Sequence, residues 1–334
     1  MAADRPTATY AQLHRYFQQW TWPRALASPR DLFCPRHATA HHSHGALTGT
    51  ASEALSAFPV LVRYFGDIVA SSPAGPALER EISSFLAVCD VLDLLQTVSR
   101  GSVSPEALQR SIWKHLRSYQ LAYGTAGWLP KHHASVHLPA MLEAHGTLLS
   151  CFTHERRHKL VRRYSSNRRN LAGYEQGIME DVALQQLHDI DHHDWRKEGL
   201  LKPRDASAKL CKVAQDLVAM RDSDSVRTSA QLVARGCTIS KGDICIVAMQ
   251  AHWPCDARCP LGGWACGEVW FHFEVDRQAY SCISVWKHLR SADRSAQFVE
   301  RDAAYAVKAS ELMAPVICCR AQTCCTILVP PSYR

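Results

Sequence analysis

The sequence predicts an α+β chain, in which a helical N-terminal region is followed by a small β-barrel or sandwich domain. Three observations carry this expectation. Apolar residues recur at helical spacing from Thr50 to about residue 190. From about Gln231 the period shortens, and Val269, Phe271, Phe273 and Val275 alternate as they would in a strand. The 334 residues, 47% hydrophobic and 21% charged, are enough for two modest cores. The expected divisions are a poorly ordered arm over 1–48, a helical domain over 49–200, a linker over 201–230 and a β-rich accessory domain over 231–334.

Within the arm, Tyr16, Trp20 and Trp22 stand among arginines and prolines, and His37, His41, His42 and His44 fall in a small-residue loop, with one helix expected over Ala11–Trp20. Ser52 is positioned to cap a helix carrying Leu55, Phe58, Leu61, Val62 and Phe65. Pro73, Gly75 and Pro76 break it, and a second helix is expected over Ala77–Val98. Ser104-Pro105-Glu106 combines an N-cap, a proline at the first helical position and an acid near the positive end of the dipole. The helix it starts carries Leu108, Ile112, Trp113 and Leu116 and should end near Gly124. Further helices are expected over Ser135–His145, from about Thr153, and over Tyr174–Leu187, with a linker or short helix over His188–Lys212. Strands are expected over Ile244–Met249, Glu268–Val275, Tyr280–Trp286, Val316–Cys319 and Thr326–Val329; short, evenly spaced strands suit a small barrel or sandwich.

No run of about 18 apolar residues is present, so no membrane span is expected, and Met1–Pro6 lacks the basic start and apolar stretch of a secretory signal. An intracellular protein follows as the expectation. Fourteen cysteines, eleven of them from Cys211 onward, are then read as reduced thiols, with metal binding as the alternative.

The net charge of +7 is concentrated. Residues 154–169 hold Arg156, Arg157, Lys159, Arg162, Arg163, Arg168 and Arg169 against the single acid Glu155, an excess of six. About four helical turns therefore carry nearly all the net positive charge. Such a surface suits the dense phosphate charge of a nucleic acid; the bland alternative is a solvated basic face.

An ordered series runs through the same region: His137-Leu138, Gly146, Cys151-Phe152-Thr153-His154-Glu155-Arg156, Lys159, Asn167-Arg168, Tyr174-Glu175 and Ile178-Met179-Glu180. Over about residues 128–190 it resembles the C-terminal region of CACTA-type (En/Spm) DNA transposases. The resemblance implies a partial ribonuclease-H-like remnant, association with DNA, a nuclear location, and Glu155 as the counterpart of the last acid of a metal-holding triad. His154 stands where the family has an aromatic residue. In that chemistry three acids hold two magnesium ions that clamp the attacking and leaving oxygens. The first two aspartates should end apolar strands upstream, and the first 50 residues contain no such strands; Asp90 and Asp93 fall on a helix face and are read as solvated. The expectation is a catalytically incomplete protein that requires no cofactor, with magnesium bound only if another chain supplied the missing acids. The β-rich region would be an accessory module for a protein partner.

Two other chemistries compete. His154-Glu155-Arg156-Arg157-His158 fits the H-E-x-x-H pattern of zinc proteases, but the arginines inside it would repel a dication. Cys255, Cys259 and Cys266, with His252, form a candidate structural zinc set, against the alternative of free thiols in a glycine-rich loop. Cys318-Cys319 and Cys324-Cys325 lie on expected strands, where neighbours point to opposite faces, and are read as buried small hydrophobes. His188, Asp191, His192, His193 and Asp194 are read as a solvated linker. His133 and His137 share a helical face beside His132, and packing or capping is preferred there to metal ligation. An interaction scaffold whose basic stretch pairs with an acidic partner, with no affinity for nucleic acid, is the remaining rival.

Overall fold

The structure, a computed structural model, describes residues 10–44, 47–69, 75–98, 101–148, 161–162, 164–165, 174–191, 198–218 and 225–334. Helices occupy the N-terminal half: α1 Tyr10–Gln18, α2 Pro35–His44, α3 Ala51–Arg63, α4 Pro76–Thr97, α5 Pro105–Tyr123, α6 Pro130–Val136, α7 Leu138–His145 and α8 Tyr174–Asp191. The sequence explains their limits. Thr50, not Ser52, caps α3: its hydroxyl accepts from the Glu53 N–H while the Glu53 carboxylate takes the Thr50 N–H at 2.8 Å. Ser104 caps α5 by accepting from the Ala107 N–H at 3.2 Å. Gly124 (φ 70°) and Gly146 (φ 66°) close α5 and α7 in the left-handed region that a glycine adopts without strain. The helix expected over Ser135–His145 is two, joined at His137, because Pro130 and Pro139 each occupy a helix start.

The C-terminal half is antiparallel sheet. A central sheet is built from β3 Arg204–Asp205, β4 Val226–Ser229, β7 Ile244–Ala248, β8 Trp264–Val275, β9 Gln278–Val285, β12 Ala304–Lys308 and β13 Leu312–Pro315. Strands β2 Gly199–Leu201, β5 Gln231–Ala234 and β6 Cys237–Ser240 form a three-stranded sheet. Strands β10 Lys287–Ala292, β11 Ser295–Val299, β14 Cys318–Arg320 and β15 Cys325–Leu328 form a third sheet, joined at its edge by β1, Trp20–Thr21.

Alternation along β7 explains the stacking. Cys245 and Val247 point to one face, with Ala265, Val269 and Ile283, against Leu232 and Ile239 of the three-stranded sheet. Ile244 and Ile246 point to the other, with Trp264 and Cys266, against Phe298, Cys325 and Ile327 of the third sheet. A strand covered on both sides reads as an unbroken apolar run, as Ile244–Val247 does. Gly267 has no room for a side chain, since a Cβ there would collide with the Ser284 carbonyl on β9. Helix α9, Ala208–Val218, closes the far end of the central sheet by packing Ala214 near Phe273 and Cys282. The chain is therefore mixed α+β with stacked antiparallel sheets, and among the described residues no closed barrel forms, which corrects that half of the expectation.

The N-terminal arm also needs correction. Phe17, Trp20, Trp22, Leu32 and Phe33 are buried, packed with Val60 and Leu61 of α3 against Ile317 and Leu328. The Trp20 and Thr21 backbones pair with Cys319 and Cys318, and the Trp22 indole N–H donates to the Ser56 carbonyl at 2.9 Å. Four buried aromatic side chains and Leu32 give this segment enough apolar surface, at roughly 1.5–3 kcal/mol per large buried side chain, to hold it in place. The linker expected over 201–230 likewise contributes α9 and strands β3 and β4.

Asp90 and Asp93, read as solvated, sit instead where α4 meets the third sheet. Arg294 donates to Asp93 at 2.6 Å and also to Asp90; Arg334 donates to Asp93 at 2.6 Å; Lys114 reaches Asp90 at 2.9 Å. Asp93 is buried, and among the described residues its second oxygen Oδ1 has no hydrogen-bond partner.

Candidate nucleic-acid interface

Helix α5 turns two opposite sides to its surroundings. Leu108, Ile112 and Leu116 recur at four-residue spacing and are buried with Val91 of α4, Val98 just after it and Leu142 of α7. On the far side, Arg110, Trp113, Lys114, Arg117 and Leu121 fall within about 100° of helical arc. With Gln109 and Ser118 they form one open patch along the helix. Trp113 is 46% exposed and Leu121 71%. Trp113 had been grouped with the buried leucines; five residues from Leu108, it stands about 140° away around the helix, which places it outside.

The charges on this face are unequal in strength. Lys114 is held by Asp90 at 2.9 Å, with the Lys114 side chain still 65% exposed. Arg110 lies close enough to Glu106 to help hold that carboxyl below its ordinary range, the larger causes being the hydrogen bonds at the helix N-terminus. Arg117 makes no ion pair among the described residues. Two guanidiniums and an ammonium flank an exposed indole, so cationic donors and an aromatic ring share one face of the helix.

Of the residues singled out in the basic stretch, only Arg162 lies within the described part. It is exposed, with helical backbone at 161–162 and 164–165, and its carbonyl accepts from Ser165 Oγ at 3.0 Å. Glu155, Arg156, Arg157, Lys159, Arg163, Arg168 and Arg169, together with His154 and His158 of the H-E-x-x-H pattern, lie outside the described residues. The neighbouring tyrosines tie the stretch to α8: Tyr164 donates to Gln185 Oε1 at 3.1 Å, and Tyr174 to the Ser165 carbonyl at 3.3 Å. Ile178 and Val182 bury one side of α8, while Met179, Leu184 and Leu187 are each more than 60% exposed.

The candidate zinc set is spread out. Cys255 and His252 are exposed, the latter beside the Trp253 and Tyr305 rings. Cys259 and Cys266 are buried in the core between the central and third sheets. Cys259 Sγ lies 3.4 Å from Ser291 Oγ, and burial pushes the Cys266 thiol well above its ordinary pKa, against the thiolate form that zinc requires. Among the described residues no three histidine, cysteine or acidic side chains converge as a metal set. Cys318 and Cys325 are buried and Cys319 turns to the helical side.

One pair was missed. His272 on β8 and Ser281 on β9 are fully buried and lie 2.6 Å apart, Nδ1 to Oγ. They face each other because the antiparallel register sets them directly opposite, which residue spacing alone does not reveal. Among the described residues His272 makes no hydrogen bond to a carboxylate, so no nucleophile triad is built there.

Among the described residues, no helix is long and apolar enough to cross a membrane. No protein-family model, curated protein or solved structure matches the chain.

Proposed function

We propose that this chain is a transposon-derived, catalytically incomplete DNA-associated protein that holds the phosphate backbone through its basic stretch. The observation that carries the reading is the excess of six positive charges within residues 154–169, in a chain whose net charge is +7. Two features support it. The exposed face of α5 adds Arg110, Lys114 and Arg117 around Trp113. Asp90 and Asp93 are committed to Arg294, Arg334 and Lys114, which leaves those two carboxylates poorly suited to a magnesium ion. On this reading Glu155 is a vestigial third acid, and the proposed location is the nucleus. A second reading, a scaffold for a protein partner, is favoured by the exposed apolar residues Met179, Leu184 and Leu187 on α8.

Binding to a random-sequence duplex, followed by fluorescence anisotropy at low salt, separates the two. Replacing Arg162, Arg163, Arg168 and Arg169 together with glutamate should weaken binding by at least about 100-fold. Replacing Trp113 with alanine should cost roughly 1 kcal/mol on single strands, where bases are free to stack, and less on duplex. Unchanged affinity in the fourfold variant would remove the DNA reading and leave the scaffold.

A further inference from the structure

Helix α6 ends in a pair of facing histidines. His133 lies in its last turn and His137 at the α6–α7 junction, one helical turn on. Both side chains are exposed, their ring planes stand at 82°, and the two Nε2 atoms are 3.3 Å apart. The packing or capping role expected for this group belongs to His132. Its Nδ1 accepts from the Leu129 N–H at 3.0 Å, and its ring lies against Tyr119, Trp128 and His115. That contact anchors the helix by one face and leaves His133 and His137 on the outside.

We infer that His133 and His137 form a two-histidine binding site for a borderline divalent transition metal of the zinc, nickel or copper class. A metal–imidazole bond is about 2.0–2.1 Å long, so an ion bonded to both Nε2 atoms across the 3.3 Å gap subtends about 104–111°. That range spans the tetrahedral angle, and the metal would replace the hydrogen bond that now joins the two nitrogens. Neutral imidazole nitrogens suit this metal class, whereas magnesium and calcium prefer oxygen ligands. The remaining coordination positions open to solvent, because both rings lie on the surface.

The test is a zinc titration of the full, reduced chain, followed by long-range ¹H–¹⁵N spectra of the histidine side chains. The His133 and His137 signals should shift together with one-to-one stoichiometry. His133→Asn should abolish the His137 shift, and His137→Asn the His133 shift, each weakening zinc uptake at this pair by at least about tenfold. His145→Asn, on the exposed end of α7, should leave both shifts intact. Zinc taken up by thiols would leave the His133 and His137 signals in place. The inference is overturned if those signals stay unmoved at saturating zinc, or if either one shifts unchanged when its partner is replaced.

Discussion

His272 is held in a place where its charged form is unwelcome. Burial lowers its pKa from the ordinary 6.5 to about 4. The unfolded chain takes up this proton near pH 6.5 and the folded chain only near pH 4, so acidification between these values favours unfolding. The contribution is complete above pH 6.5 and lost progressively as the pH falls to about 4, roughly 3 kcal/mol over the full interval. Urea midpoints at pH 7 and pH 4.5 check this: His272→Gln should flatten the loss, and an equally steep loss in the variant would place the acid sensitivity elsewhere. Residue-scale signals were partly legible in the sequence. Ser104-Pro105-Glu106 marked the start of α5 because a cap, a proline and an acid act locally. The cap of α3 falls at Thr50 and not at Ser52, since Glu53 stands three residues after Thr50 and only that spacing closes a reciprocal cap. The His272–Ser281 pair was not legible, since it exists only once β8 and β9 have found their register.

At the scale of elements, the meeting of α4 with the third sheet rests on a buried carboxylate. Asp93→Ala would leave Arg294 and Arg334, whose side chains are 25% and 20% exposed, facing each other without the shared anion. The expected loss is roughly 2–4 kcal/mol, read from denaturant midpoints. Asp90→Ala, at a more exposed carboxylate, should cost no more than about 1 kcal/mol; equal losses in the two variants would show that the burial of Asp93 does not set its importance. The solvated reading fails because the guanidinium partners of both aspartates lie some 200 residues away or more, where no sequence rule links them. The long helices α4 and α5 were legible from their 3.6-residue period, and β7, β8 and β9 from apolar runs and alternation. Strands β2 to β6 were not: at two to four residues each they are too short to show a period, and the sheets around them decide their conformation.

For the whole molecule, the first and last parts of the chain share one sheet, with β1 from the N-terminal segment paired to β14. The division into arm, helical domain and β domain therefore separates segments that fold against one another, as the cluster of Phe17, Trp22 and Val60 with Ile317 and Leu328 shows. Aromatic residues in an arginine- and proline-rich segment carried no period, so only the tertiary partner reveals that they are core. The charge distribution, by contrast, was open to reading from the start, because clustering of like charges is a property of the sequence itself. The most direct test of the DNA-association account is the salt dependence of binding to a random duplex. If the basic stretch displaces about six counterions, log K should fall against log salt with a slope of about −5. A slope near zero, or no binding at about 50 mM salt, would contradict it.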